Sequence, residues 1–306
     1  MISAKDLKRK ISKIVFVAVL ICFSLLIVLA GSLIYNELYK EHSRVELFHN
    51  RMTAIVKKMS RLIEFVQRIP QDLVYILEFQ DVDEQEMKIL LESVLFNNLE
   101  ICGSAIAFEP SQFYKDSLYH ATYVYRKGDR NIYTNLNGPE YNYFNKEWYK
   151  LPKTLMKPTW SEPYFDAGGG NIFMSTYSIP FSKFDGYREE FKGIVTVDVS
   201  IEELKRNVQS LGKLWNCYAI LISGKGTILS APYEDWISKE SIFTLATKLN
   251  APVLEEIGND LRKGISGTKD IGRFESQNDW LAFYSIIPTN KWGLILLLPR
   301  NELNRK

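Results

Sequence analysis

The spacing of hydrophobic and polar positions divides the chain into segments of different period. Ile14–Ile34 is a charge-free apolar run, diluted only by Ser24, Gly31 and Ser32. About 20 such residues cross a bilayer core, so the run predicts a transmembrane helix. Apolar residues then recur at Val45, Phe48, Met52, Ile55, Met59, Leu62, Val66 and Ile69 in alternating steps of three and four, with Leu38 one heptad earlier. That repeat predicts a long helix with a narrow apolar seam. Pro70, which lacks a backbone donor, is expected to end it. A second amphipathic helix is expected over 83–98, with Met87, Leu90, Leu91, Val94 and Leu95 on its apolar face.

The period changes after Ile101. The segments 102–108, 121–126, 172–181 and 192–200 are rich in β-branched and aromatic residues and read as strands. Between the second and third, residues 128–171 form a long Gly-, Pro- and aromatic-rich stretch, read as a binding loop. A second cycle follows, with a helix over 201–214 and a hairpin of strands 217–223 and 226–230. A helix over 241–259 and strands at 267–273, 280–287 and 292–298 complete it. The last strand is too short for a second span. The order predicts an α+β chain: an N-terminal transmembrane helix, a long stalk helix and two tandem modules with antiparallel sheets.

Charge sharpens the first element. The 306 residues carry a net charge of +2, yet Lys5, Lys8, Arg9, Lys10 and Lys13 face only Asp6 ahead of the apolar run. The positive-inside rule then places the N-terminus in the cytoplasm and residues 35–306 outside it. The remainder is slightly acidic and offers no footprint for nucleic acid. Composition excludes a disordered chain, a collagen and a coiled-coil rod.

Catalytic signals are weak. Cys22, Cys102 and Cys217 form no zinc-type spacing, and no disulfide is expected between the last two. Gly168–Gly170 is not followed by Lys-Ser/Thr, and no G-x-S-x-G occurs. Two of the three histidines, His42 and His49, fall on the stalk, leaving only His120. The expectation is a non-enzyme without metal or cofactor.

Several stretches together resemble a known family. They are Glu147-Trp148-Tyr149, then Trp160-Ser161-Glu162-Pro163-Tyr164-Phe165-Asp166 before Gly168–Gly170, then Thr176–Phe181, then Gly193–Ser200. The combination resembles the double Cache sensor domain, the tandem PAS-like extracytoplasmic module of bacterial chemoreceptors, sensor kinases, cyclic-dinucleotide enzymes and phosphatases. The resemblance implies a cytoplasmic basic tail (1–13), a transmembrane helix (14–34), a stalk helix (35–79) and a membrane-distal ligand-binding PAS-like module (80–200). A connecting helix (201–214), a membrane-proximal PAS-like module (215–300) and a tail (301–306) follow. It further implies an inner-membrane sensor that binds a small molecule, dimerises through its stalk and signals to an output module missing from this chain.

Family members that bind amino acids carry a pattern that this sequence matches at Tyr141, Lys146, Trp148, Tyr149, Tyr164, Asp166 and Asp198. The resemblance implies that the first four hold a carboxylate and the last three an ammonium group. Lys146 stands where the pattern has arginine, which keeps the charge and loses the two-pronged fork. The residue chemistry agrees: aromatic walls with polar tips and two carboxylates favour a cationic group. Trp148 and Trp160 also read as core aromatics, and Asp166 before three glycines as turn chemistry. Two other classes compete: a membrane-tethered envelope hydrolase or transferase, and a non-signalling scaffold with an empty pocket.

Overall fold

The computed structural model describes residues 4–184, 186–273 and 279–303, with the side chains of residues 4–22, 37, 40, 41 and 303 left outside the description. Two compact units emerge, Met1–Arg51 with Leu303–Lys306, and Met52–Glu302. The first helix, α1 (Ala4–Phe79), begins in the former. The expected span, 14–34, is helical; its residues 14–22 fall outside the described side chains, while Phe23, Leu25–Leu29, Leu33 and Ile34 are exposed. Among the described residues, no helix is long and apolar enough to cross a membrane.

Pro70 does not end α1, contrary to expectation; the helix continues to Phe79. A proline inside a helix forfeits one backbone hydrogen bond. Here it is outweighed by burial, because Leu73, Val74 and Leu77 beyond it are all buried, as are Met52, Val56, Ile63 and Val66 before it. Helix α2 (Glu84–Asn97) starts at a reciprocal cap. The Glu86 amide donates to Asp83 Oδ1 and the Asp83 amide to Glu86 Oε2, each at 2.8 Å. Its C-terminal end is closed by Arg126, which donates to the Leu95 and Asn98 carbonyl oxygens.

Seven strands make the first sheet: β1 (Gly103–Phe108), β2 (Ala121–Lys127), β3 (Arg130–Asn135), β4 (Thr159–Trp160), β5 (Tyr164–Phe165), β6 (Phe173–Phe184) and β7 (Glu189–Ser200). Their order is β3-β2-β1-β7-β6-β4, with β5 also on β6, and every pairing is antiparallel. β1 is buried along its whole length, which explains its unbroken small and apolar sequence. The stretch read as one long loop holds β3, β4, β5 and helix α3 (Glu147–Leu155). α3 packs on β6 and β7. Its proline, Pro152, masked the helical signal.

Helix α4 (Ile201–Trp215) leads into the second sheet, of β8 (Tyr218–Ile222), β9 (Ile228–Ser230), β10 (Gly267–Arg273), β11 (Asp279–Ile287) and β12 (Trp292–Pro299). The order is β10-β11-β12-β8-β9. The single helix expected over 241–259 is two: α5 (Ile242–Lys248) and α6 (Pro252–Arg262). Asn250 adopts a left-handed φ of 49° between them and Pro252 opens α6, so the backbone turns where periodicity ran on. Leu245, Leu254, Ile257 and Leu261 from this helix pair pack with Ile220, Ala282, Ile295 and Leu297 of the sheet.

Candidate functional site

Register decides which side chains share a face of the first sheet. Asp198 on β7 lies opposite Gly103 of β1 on one side and Thr176 of β6 on the other. One step along the same face, Thr196 stands between Ala105 and Ser178, and Ala105 pairs with Tyr123. Paired residues of neighbouring strands point the same way. This face therefore carries Asp198, Thr176 and Tyr123 beside the small residues Gly103, Ala105 and Ala121. Over it lies an aromatic layer from the former loop, Tyr141, Tyr143, Trp148 and Tyr149, in one buried cluster with Tyr123.

Asp198 is 1% exposed. Its Oδ2 accepts from the Tyr123 hydroxyl at 3.0 Å and its Oδ1 from the Thr176 hydroxyl at 2.7 Å. Since Thr176 spends its one proton there, the Tyr164 hydroxyl, 2.8 Å away, donates to Thr176. Burial is the main force pushing the Asp198 carboxyl up to about 7. The nearby Asp166 adds to it, and the Thr176 and Tyr123 hydrogen bonds oppose it. Gly103 makes the arrangement possible: a Cβ there would stand 2.4 Å from both Asp198 Oδ2 and the Tyr123 oxygen.

Asp166 is fully buried too. Its Oδ1 accepts from the Tyr141 hydroxyl, and its Oδ2 from the Gly170 amide at 2.7 Å. The Asn171 amide donates to its carbonyl oxygen at 2.9 Å. Asp166 thus folds the glycine loop with one oxygen and faces the aromatic layer with the other. A Cβ on Gly169 would fall 2.1 Å from Oδ2, so the glycines give the carboxylate its room. The Tyr123, Tyr141 and Tyr164 hydroxyls are all held above the ordinary phenol range, first by burial and then by these two carboxylates. All three are neutral donors. Among the described residues, no lysine or arginine forms an ion pair with either aspartate.

The seven residues singled out from sequence therefore divide. Tyr141, Tyr164, Asp166 and Asp198 converge on one buried acidic centre. Lys146 sits beside it as the residue ahead of α3, its ammonium 4.6 Å from the centre of the Tyr141 ring. Trp148 is buried next to Tyr143 and Tyr149. The Tyr149 hydroxyl points elsewhere, donating to Glu109 at 2.5 Å, where Lys153 also binds at 2.6 Å. Sequence reading missed Tyr123, Thr176 and Gly103 as site residues. Only the strand register reveals them, and alternation alone does not set a register. No metal-type cluster of His, Cys, Asp or Glu occurs among the described residues.

Residues 87–206 match the family model described as the methyl-accepting chemotaxis protein-like first PDC sensor domain. The extracellular domain of the candidate histidine kinase mmHK1S-Z3 superposes with a TM-score of 0.70 at 26% identity, covering 81% of this chain and 91% of that one. The chain has the double Cache sensor fold. Two further solved structures share the fold at lower identity. The ligand-binding domain of the Pseudomonas aeruginosa PAO1 chemoreceptor PctC, in complex with GABA, gives a TM-score of 0.57 at 19% identity, covering 80% of this chain and 95% of that one. The ligand-binding domain of Mlp24 with asparagine gives 0.58 at 15% identity, covering 86% and 97%. No curated protein matches this chain. Within the double Cache fold, the acidic centre belongs to the first sheet, inside the residues that the family model matches.

Proposed function

We propose that this chain is the sensing part of a membrane receptor, and that its first sheet binds a small ligand through a positively charged amine. The observation that carries the reading is the buried pair Asp166 and Asp198, walled by tyrosines and in no ion pair with a lysine or arginine among the described residues. A buried carboxylate is costly unless a partner charge compensates it. A ligand ammonium supplies that charge and would draw Asp198, which burial pushes up to about 7 in the free protein, into its ionised form.

The ligand class is an amine or an amino acid. Asp166, Asp198 and Tyr164 receive the ammonium. Tyr141, Trp148 and Lys146 address the other end, where a carboxylate would meet the lysine; Tyr149 frames that end through its ring. The solved relatives with GABA and asparagine hold amine-bearing ligands, the class proposed here. The protein acts by binding, without turnover.

The same proposal takes 14–34 as a membrane span, with residues 35–306 outside the cytoplasm. Residues 80–200 are the distal module, 215–300 the proximal one, and 201–214 the helix that joins them. The charge asymmetry before the apolar run supports that topology. Two copies associate along the stalk, and ligand occupancy is signalled by its differential affinity for two stalk arrangements.

Thermal-shift screening of the full chain against amines, amino acids and organic acids tests the reading. Saturable stabilisation by amine-bearing compounds that vanishes in Asp198→Asn supports it. Stabilisation that the variant retains in full contradicts it. A ligand present at about 100 times its Kd adds ~2.7 kcal/mol, well above detection.

A further inference from the structure

A second cleft lies between the two sheets, within Met52–Glu302. Its volume is about 420 Å³, the size of a small-metabolite site. Trp160 and Tyr177 of the first sheet meet Trp292 of the second there, with ring centres of Trp160 and Trp292 5.3 Å apart. Two buried donors in its lining have no hydrogen-bond partner: the Trp160 indole N–H and the Asn290 side-chain amide. Asn290 is only 9% exposed, and its other atom, Oδ1, already accepts from the Trp292 amide at 3.1 Å. Such orphaned donors cost free energy and call for an acceptor.

We propose that this cleft is a second ligand site, and that it takes a small organic carboxylate. Both orphans are donors only, so they match an acceptor and reject an amine. Two lysines stand in the lining. Lys225 is tied to Glu147 at 2.8 Å, whereas Lys291 forms no ion pair among the described residues. Lys291 also holds a left-handed φ of 63°, a conformation that lysine rarely adopts and that concentrates at functional turns. The one carboxylate in the lining, Glu162, is occupied by the hydroxyls of Ser223 at 2.6 Å and Thr227 at 2.8 Å. Two donors and a free ammonium grip the carboxylate, and the tryptophan and tyrosine faces cover the apolar body of the ligand. Such a ligand would touch both sheets at once and brace them against each other.

The test uses the full chain with benzoate and succinate, and with benzamide and succinamide as uncharged controls. These carboxylates have no amine, so the acidic centre repels them and the two sites are read separately. At least one carboxylate should give a saturable rise in Tm and a calorimetric isotherm, and its amide should not. Trp160→Phe keeps an aromatic face and removes the N–H. Asn290→Asp keeps the acceptor for Trp292 and replaces the donor with a negative charge. Each should weaken binding about tenfold or more. Asp198→Asn should leave it within about twofold. Lys291→Gly relieves the left-handed backbone, so it should fold at least as stably as the parent while binding several-fold more weakly. Carboxylate and amide binding alike, no saturable shift with either carboxylate, or full affinity retained in these variants would overturn the proposal.

Discussion

Asp198 is the residue on which the chemistry turns, and its titration leaves a mark on stability. Its carboxyl ionises near 7 in the fold and near the ordinary carboxylate value in the unfolded chain. An acid whose folded pKa is raised stabilises the fold below the unfolded value and loses that stabilisation as pH rises through the folded one. Stability of the free protein should therefore fall between about pH 4 and pH 7 by a few kcal/mol on this account. Asp198→Asn, which cannot ionise, should flatten that slope in thermal melts taken across the window; an unchanged slope would refute the assignment. Gly103→Ala probes the same spot sterically, since its Cβ would meet Asp198 and Tyr123. Overpacking of this kind costs about 1–3 kcal/mol, and amine binding should weaken together with Tm. Asp198, Tyr164 and Asp166 were legible because they stand in short motifs and carry chemistry that a core does not need. Thr176 and Tyr123 were not, because each is an ordinary strand residue until the register brings it to the carboxylate.

Among the elements, α1 was read most accurately in its course and least accurately in its end. Its seam of threes and fours is real as a helix, but the face buried against the fold is rotated from it. Met52, Val56, Ile63 and Val66 are buried, whereas Leu62 remains 37% exposed and Phe65 46%. Part of the predicted seam thus remains open to a partner. Ile55→Glu with Leu62→Glu should leave the melting temperature nearly unchanged yet abolish self-association in sedimentation equilibrium; dimers that survive the pair of charges would assign the seam to intramolecular packing. The missed elements share a cause. α3 is short and carries a proline, β3 is polar at an exposed sheet edge, and both take their shape from what they pack against or pair with. The break between α5 and α6 was marked by Asn250 and Pro252, breakers that a continuous apolar period concealed.

For the whole molecule, the hydrophobic rhythm gave the α+β class and antiparallel sheets. Pairing between strands far apart in sequence, such as β1 with β7, came only from the structure. The account assigns each sheet its own chemistry: an acidic centre for an amine on the first, and a donor-lined cleft where the first meets the second. It also places both beyond the membrane. A C-terminal alkaline phosphatase fusion should be active and a C-terminal green fluorescent protein fusion dark, and the reverse pattern would contradict the topology. The central claim is that the buried aspartate pair binds a cation, and calorimetry with the best amine from the screen tests it most directly. Binding at pH 6 should release close to one proton, detected as heat that varies with buffer ionisation enthalpy, because the ammonium forces Asp198 to ionise. Affinity should rise toward pH 8, and Asp198→Asn should lose both the proton release and about ten- to a hundredfold in affinity. Equal affinity in parent and variant, with no buffer-dependent heat, would contradict the account.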